Sequence, residues 1–390
     1  MNIVLNFIGL RSGGGRADTF NLMMSIPANA PEHNFLAIVP ARHGYENIAV
    51  SANCKVLYEP VRTFNDAWRV YFDNVVTPAI CKDFKADLLF TMGNNGPVKF
   101  KYCKHIMMLR MPQLIYPFEC MGDIDLKMKI KIYFLKQYMK RALPHADAVI
   151  VQTDTINKRI RNIYDIKGPV YVVGKNVTRS MKLAGNAGID NQQVREICGN
   201  ESKMKLLYIA DYYPHKNMRK ACEAMALLRK RGVDVTLFLT IDSTKNSNSL
   251  LKDIEAGKYG KGVISLGHVD YSNIQGIYRC CDAVLMPSHL ESFSATYLEA
   301  MAFSKPLMVS DLDFAHEICG DAALYFDPYN AVSMADTVVR LLSEPSLGQR
   351  CIEKGKEQYA KYNISWDEIA KRYIDIFLKT CKIDTSQGTT

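Results

Sequence analysis

The 390-residue sequence contains no apolar run long enough to cross a bilayer. Stretches such as Ile3–Leu5 and Val284–Met286 are strand-sized, against the roughly 18 residues a membrane helix needs. It also lacks a basic, leader-like opening with a small-residue cleavage site, so Met1 to Leu10 reads as a first strand running into a Gly-rich turn at Ser12–Gly15. No 20–50-residue repeat or low-complexity tract is present, apart from a polar tail, Asp384–Thr390, expected to fray. There is no C-x-x-C pair, and the eight histidines do not cluster with cysteine, so no metal centre is expected. The eleven cysteines are odd in number and scattered from Cys54 to Cys381, unlike the dense frameworks of secreted domains. They are expected as reduced cytosolic thiols, with Cys280 and Cys281 in an apolar core stretch.

What is there is a globular composition, 48% hydrophobic and 23% charged, over a length that suits two domains. Short β-branched runs alternate with helix-period segments, the rhythm of parallel sheets covered on both faces. The first half gives strands near Asn2–Ile8, Phe35–Val39, Asp87–Phe90, His105–Leu109 and Ala148–Val151, and the second gives Lys205–Ala210, Val235–Thr240, Val263–Leu266, Ala283–Met286 and Leu307–Val309. Between them the pattern dissolves over Thr178–Lys203. The expected organisation is a Rossmann-like domain over 1–178, a linker over 179–204, a second Rossmann-like domain over 205–365 and a C-terminal helix over 366–384 packing back on the first. The fold class is α/β, with two doubly wound domains facing a central cleft.

The charge of +9 is uneven: residues 1–185 hold 25 Lys and Arg against 14 Asp and Glu, and the remainder 24 against 26. The densest basic stretch, Lys127 to Arg141, sets Ile130, Phe134 and Met139 near one helical stripe among lysines. Such a face suits an anionic membrane surface; packing of the stripe on its own domain is the other reading. No recognition helix with stacking aromatics is visible, so nucleic acid is not an expected partner.

The segment richest in chemistry is Pro287-Ser-His-Leu-Glu-Ser-Phe-Ser-Ala-Thr-Tyr-Leu-Glu-Ala-Met-Ala302, which reads as a loop entering a helix. Ser292, Phe293 and Ser294 offer backbone N–H groups at the helix start, an anion site. Glu291 and Glu299 lie too far apart along the chain for a hydrogen-bonded dyad, so they are expected to grip opposite ends of one extended ligand. A carboxylate accepting two hydroxyls suits a ribose diol. Asp123 with Asp125 and Asp311 with Asp313 imitate a D-x-D metal pair, but outside the single-domain setting such a pair needs.

This Glu-x7-Glu segment, with Leu266-Gly-His-Val269 before it, Ser310 to Pro328 after it and Ile364-Ser-Trp366 near the end, resembles the retaining family 4 glycosyltransferases of the GT-B fold. The resemblance is strong over most of 205–375 and weak in the first half. It implies transfer of a sugar from a nucleotide diphosphate sugar to a glycan or lipid-linked acceptor, with retention and without cofactor or metal, by a cytoplasmic enzyme at the membrane's inner face. It implies that Glu299 binds the donor ribose, Glu291 the donor sugar, and Ser288 and the amides of Ser292 to Ser294 the donor. Serines stand at both glycines of the usual E-G-F-G. The stretch Ile209 to Asn217 resembles the diphosphate-holding loop, with Lys216 on the family lysine and Ala210 where an arginine is usual; Arg219, His215 or a cation of the first domain are the candidate replacements. Gly14 and Gly15 resemble the family's glycine loop, which faces donor phosphate and acceptor across the cleft, and the resemblance assigns them to the donor; a tight turn without a ligand is the other reading. Arg110 stands where a histidine commonly reaches the donor sugar; with Arg16 it is assigned to the acceptor or sugar side, a structural arginine at a strand end being the alternative. A nucleotide-sugar epimerase and an inactive sugar-nucleotide binder are the rival readings.

Overall fold

The computed structural model describes residues 1–11, 13–60, 66–177, 191–270 and 273–382. The polar tail and the first half of the Thr178–Lys203 stretch, residues 178–190, lie outside them. The chain divides into two compact units: the first takes Met1–Ile115, Leu126–Asn176 and the residues from Ile364 onward, and the second takes Tyr116–Asp125 and Val177–Asn363.

The first unit carries seven parallel strands: β1 (Asn2–Asn6), β2 (Asn34–Pro40), β3 (Cys54–Glu59), β4 (Leu88–Met92), β5 (Lys104–Met108), β6 (Ala148–Val151) and β7 (Val170–Val172). Their order is β3-β2-β1-β4-β5-β6-β7. Alternate side chains serve opposite faces: Ile3 and Leu5 join the core on one side and Val4 the core on the other. The helix Trp366–Lys382 closes the first face, with Phe90 of β4 packed against Tyr373 at 5.5 Å and Phe377 at 5.3 Å between ring centroids. A reciprocal box starts that helix, Ser365 N–H donating to Glu368 at 2.7 Å and Glu368 N–H to Ser365 Oγ at 3.0 Å.

The second unit carries β8 (Met204–Tyr208), β9 (Val235–Leu239), β10 (Val263–Ser265), β11 (Ala283–Met286), β12 (Leu307–Ser310) and β13 (Ala323–Phe326), all parallel, in the order β10-β9-β8-β11-β12-β13. Each sheet therefore reverses its strand order once, between β1 and β4 and between β8 and β11. Such a switch point is where doubly wound sheets take ligands.

Three expectations change. Within Thr178–Lys203 a helix, Gln192–Cys198, is started by Asn191, whose side chain accepts from Val194 N–H. It packs on the helix Ile274–Cys280, and Cys198 and Cys280 are joined by a disulfide across 82 residues of sequence, with Cα atoms 5.4 Å apart. The reading of eleven reduced thiols fails for this pair, because helix packing rather than sequence spacing brings the two together. In the helix Leu126–Ala142 the buried positions are Ile132, Met139 and Ala142, while Ile130 and Phe134 stand in solvent. The packed stripe is thus rotated from the one the spacing suggested.

His105 on β5 is fully buried, with Nε2 3.1 Å from Thr91 Oγ1 and Nδ1 without a partner. Burial pushes its pKa down from 6.5 to about 3. The unfolded chain therefore takes up this proton first, so the contribution of neutral His105 is complete above about pH 6.5 and is lost as pH falls towards 3. Thermal melts from pH 7 to 4 should show a His105→Asn variant losing less stability over that range than the wild type, by about a few kcal/mol; parallel acid limbs would refute this.

Candidate active site

The loops beyond β8 and β11 meet at the switch point of the second sheet. After β8, Tyr213 leads into a short turn at Pro214–Lys216 and then Asn217, which adopts a left-handed φ of 58° and starts the helix Met218–Lys230. Asn217 holds that geometry by donating through Nδ2 to the carbonyls of Pro287 at 3.1 Å and Pro328 at 2.7 Å. Tyr208 OH, at the end of β8, donates to the Lys216 carbonyl at 2.6 Å. The Lys216 backbone is thereby fixed on both sides.

Its side chain reaches Glu291: Lys216 Nζ lies 2.6 Å from Glu291 Oε1, and Ser288 Oγ donates to the same oxygen at 2.9 Å. Glu291 is 7% exposed. Burial alone would raise its pKa, but the Lys216 ammonium, His215 and the Ser288 hydroxyl outweigh it, and the net shift is downward. Glu291 is an ionised acceptor at neutral pH. The two residues assigned to diphosphate and sugar are thus in direct contact, and Ser288 joins them.

Past Glu291, Ser294 precedes the helix Ala295–Ala302 with φ −94°, and its side chain makes no capping hydrogen bond. Ser292 is not among the residues of positive φ either, so serine in place of the usual glycines costs no backbone strain. Phe293 is buried edge-on against Tyr362 at 5.7 Å. Glu299 is 3% exposed and its Oε2 accepts from Tyr278 OH at 3.0 Å. Tyr278, itself stacked on Phe303 at 4.9 Å, was missed from the sequence; only an aromatic on the preceding helix hinted at it.

The candidate replacements for an arginine at Ala210 are otherwise engaged. Arg219 Nη1 pairs with Asp253 at 2.6 Å and Nη2 donates to Ser249 at 2.9 Å. His215 is neutral at pH 7, burial and then the neighbouring Lys216 lowering its pKa to about 4. Among the described residues no group of three or more His, Cys, Asp or Glu is placed to hold a metal ion. Asp313 accepts from Tyr116 OH at 3.0 Å, whereas Asp311 pairs with His316 at 2.6 Å.

In the first unit, Gly14 and Gly15 lie within the first turn of the helix Gly13–Ala28 rather than in a loop before it. Arg110 follows β5 and pairs with Asp18 at 2.5 Å. Arg16 donates to the His43 carbonyl at 3.4 Å and covers the Phe20 ring. Asn94, at φ 67°, accepts from the N–H groups of Arg110 and Met111, both at 2.6 Å.

Residues 190–358 match the family model described as Glycosyl transferases group 1. A curated relative, alpha-D-kanosaminyltransferase of Streptomyces kanamyceticus, is 26% identical over 250 residues, spanning 61% of this chain and 63% of that protein. The chain spans less than two thirds of the length of the first curated relatives it matches. Among solved structures, sucrose-phosphate synthase of Thermosynechococcus elongatus superposes with a TM-score of 0.72 at 14% identity, over 97% of this chain and 98% of that one. HepE of Anabaena, solved with UDP and glucose, gives 0.66 at 14% identity over 97% and 100%. Residues 190–358 thus match the family described as Glycosyl transferases group 1, and the two parallel sheets with these structural likenesses give the chain the GT-B fold.

Proposed function

We propose that the chain transfers a sugar from a nucleoside diphosphate sugar to a hydroxyl acceptor, with retention at the anomeric carbon and without a metal ion. The observation that carries this reading is the buried Lys216–Glu291 pair at the carboxyl ends of β8 and β11, beside the helix start at Ser294. A cation and helix-start amides suit a departing diphosphate, and an ionised carboxylate suits sugar hydroxyls. Glu299, oriented by Tyr278, takes the ribose diol. Ser288 holds Glu291 while the sugar is bound. The leaving phosphate accepts the acceptor's proton, so no protein nucleophile is required. That HepE was solved with UDP and glucose, and that a matched relative is a sugar transferase by name, support this reading.

The variants separate the roles. Glu299→Ala weakens binding of UDP in calorimetry at least about 10-fold, while Glu291→Gln leaves UDP affinity within about 2-fold and depresses transfer from labelled nucleotide sugars. Lys216→Ala lowers turnover by about 100-fold, the scale for one preorganised charge-stabilising group, and EDTA leaves turnover unchanged. Equal loss of UDP affinity in both glutamate variants, or activity lost to EDTA and restored by manganese, overturns the assignment. Interconversion of the nucleotide sugar without transfer would make the protein an epimerase.

The acceptor is proposed to be carried on an anionic membrane. No helix among the described residues is long and apolar enough to cross a bilayer. The helix Leu126–Ala142 nonetheless presents Leu126 at 72% exposure and Phe134 at 66%, with Met128, Ile130 and Tyr133 also exposed. Lys127, Lys129, Lys131, Lys140 and Arg141 stand in solvent around them, Lys131 within 3.0 Å of Asp66, and Lys136 is half-buried. Apolar side chains interleaved with cations match the boundary between lipid headgroups and acyl chains, each cation contributing about 1 kcal/mol near an anionic leaflet. The wild type is expected to cosediment with phosphatidylglycerol vesicles at low salt. Replacing the six basic residues by Gln, or Leu126, Ile130 and Phe134 by Ser, should reduce this at least about 10-fold and spare UDP affinity. Absence of wild-type cosedimentation refutes the membrane assignment.

A further inference from the structure

The helix Gln192–Cys198 lies against the helix Ile274–Cys280, and its two ends are tied to different parts of the second unit. At its start Gln193 Nε2 donates to the carbonyls of Leu266 at 3.0 Å and His268 at 2.7 Å, in the loop that follows β10. At its end Cys198 is joined to Cys280 by the disulfide. Each of the two helices has seven residues. Helices so short are marginal by themselves in water, so both depend on such ties to stay in place.

The tied end carries a residue of the candidate site. Tyr278, two residues before Cys280, is fully buried, stacks on Phe303 at 4.9 Å and donates to Glu299 Oε2 at 3.0 Å. Lys305 Nζ gives the same end a non-covalent hold, donating to the carbonyls of Arg279 at 3.3 Å and Cys281 at 2.6 Å. Opening the disulfide therefore loosens Tyr278 without releasing it. The bond is also within reach of solvent: Cys198 is exposed and Cys280 half-buried, whereas the adjacent Cys281 is buried. Thiol–disulfide exchange needs a thiolate to approach one of the sulfurs, and exposed disulfides are the ones that serve as controls rather than permanent staples.

We propose that the Cys198–Cys280 disulfide is a redox control on nucleotide binding: closed, it holds Tyr278 against Glu299, and its reduction by a dithiol weakens the grip on the ribose. The proposal rests on the glycosyltransferase reading and names a regulation of that same site. One thiolate of the dithiol attacks the Cys198 sulfur, the Cys198–Cys280 bond breaks, and Cys280 leaves as a thiolate that takes a proton from water. The second thiol of the reductant then closes on the first, releasing Cys198. The protein gains two electrons and two protons, and the dithiol is oxidised to a cyclic disulfide. Tyr278 is a positioning residue for Glu299, and the two cysteines act through it.

The full chain, purified without reductant, is compared before and after treatment with dithiothreitol. Peptide mapping should find Cys198 and Cys280 linked before treatment and free after it. In calorimetry the reduced form should bind UDP about 3- to 10-fold more weakly, the scale of one hydrogen bond, and reoxidation should restore the affinity. Cys198→Ser should show the reduced-form affinity whether or not dithiothreitol is present. Tyr278→Phe should bind UDP weakly with the disulfide intact and no longer respond to reductant, a result that a purely structural disulfide would not give. If Cys198→Ser does not fold, the wild-type comparison and Tyr278→Phe decide the matter. Equal UDP affinity in the oxidised and reduced forms, an unlinked pair before treatment, or a reductant response that survives in Tyr278→Phe overturns the redox control and leaves the donor reading standing. Absence of UDP binding in both forms strikes the donor reading instead.

Discussion

A parallel sheet covered on both faces makes unpaired polar groups along its strands costly, and His105 Nδ1 on β5 is an exception to the rule. All five residues of β4 and all five of β9 are buried, and the central strands of both sheets are close to this limit. Polar side chains that meet a ligand must therefore come from the loops at the strand ends, and the order reversals at β1/β4 and β8/β11 open the space for them. The same constraint acts twice in this chain. In the second unit it gathers Lys216, Ser288 and Glu291; in the first it gathers Asn94, Arg110, Lys175 and the Gly13–Gly15 turn.

Burial on both faces is also why the sheets were legible in the sequence. Strands such as Ala148–Val151 and Ala283–Met286 are continuous apolar runs and read with their exact ends, while their neighbours shift by a residue or two where the chain frays into loops. β3 escaped because it is an edge strand, with Lys55 exposed and little of it buried. The glutamates and Lys216 were legible because they sit in a linear motif. Their partners were not: Tyr278 meets Glu299 across 21 residues, Asn94 meets Arg110 across 16, and Lys175 meets Asp18 across 157. The Cys198–Cys280 disulfide belongs with these, being a product of two helices packing. On the helix Leu126–Ala142 the periodicity was right but its phase was not, because several apolar positions competed for the core and Ile132, Met139 and Ala142 won it.

Two departures from the resembled motifs have different physical weight. Serine at 292 and 294 is mild, since neither position uses a positive φ and the amides remain where the helix start places them. Alanine at 210 removes a full charge. Arg219, tied to Asp253 and Ser249, does not return it, and neutral His215 does not either. On the proposed reading, the charge of a bound diphosphate in this loop would fall on Lys216 and the helix amides, which raises the importance of how Lys216 is held.

That holding is expensive in isolation. A buried ion pair gives up two hydration shells, and its attraction seldom does more than offset the loss, so Lys216–Glu291 is weak as a device for stability. What it provides is alignment. With Glu291 pinned by Ser288 and the Lys216 carbonyl by Tyr208, neither charge has to reorganise as a ligand enters. A diphosphate accepting from Lys216 would release Glu291 towards sugar hydroxyls, exchanging one protein contact for two ligand contacts at fixed geometry. A site built this way holds its charges ready before the transition state needs them, the arrangement by which electrostatic catalysis avoids the reorganisation that water would require.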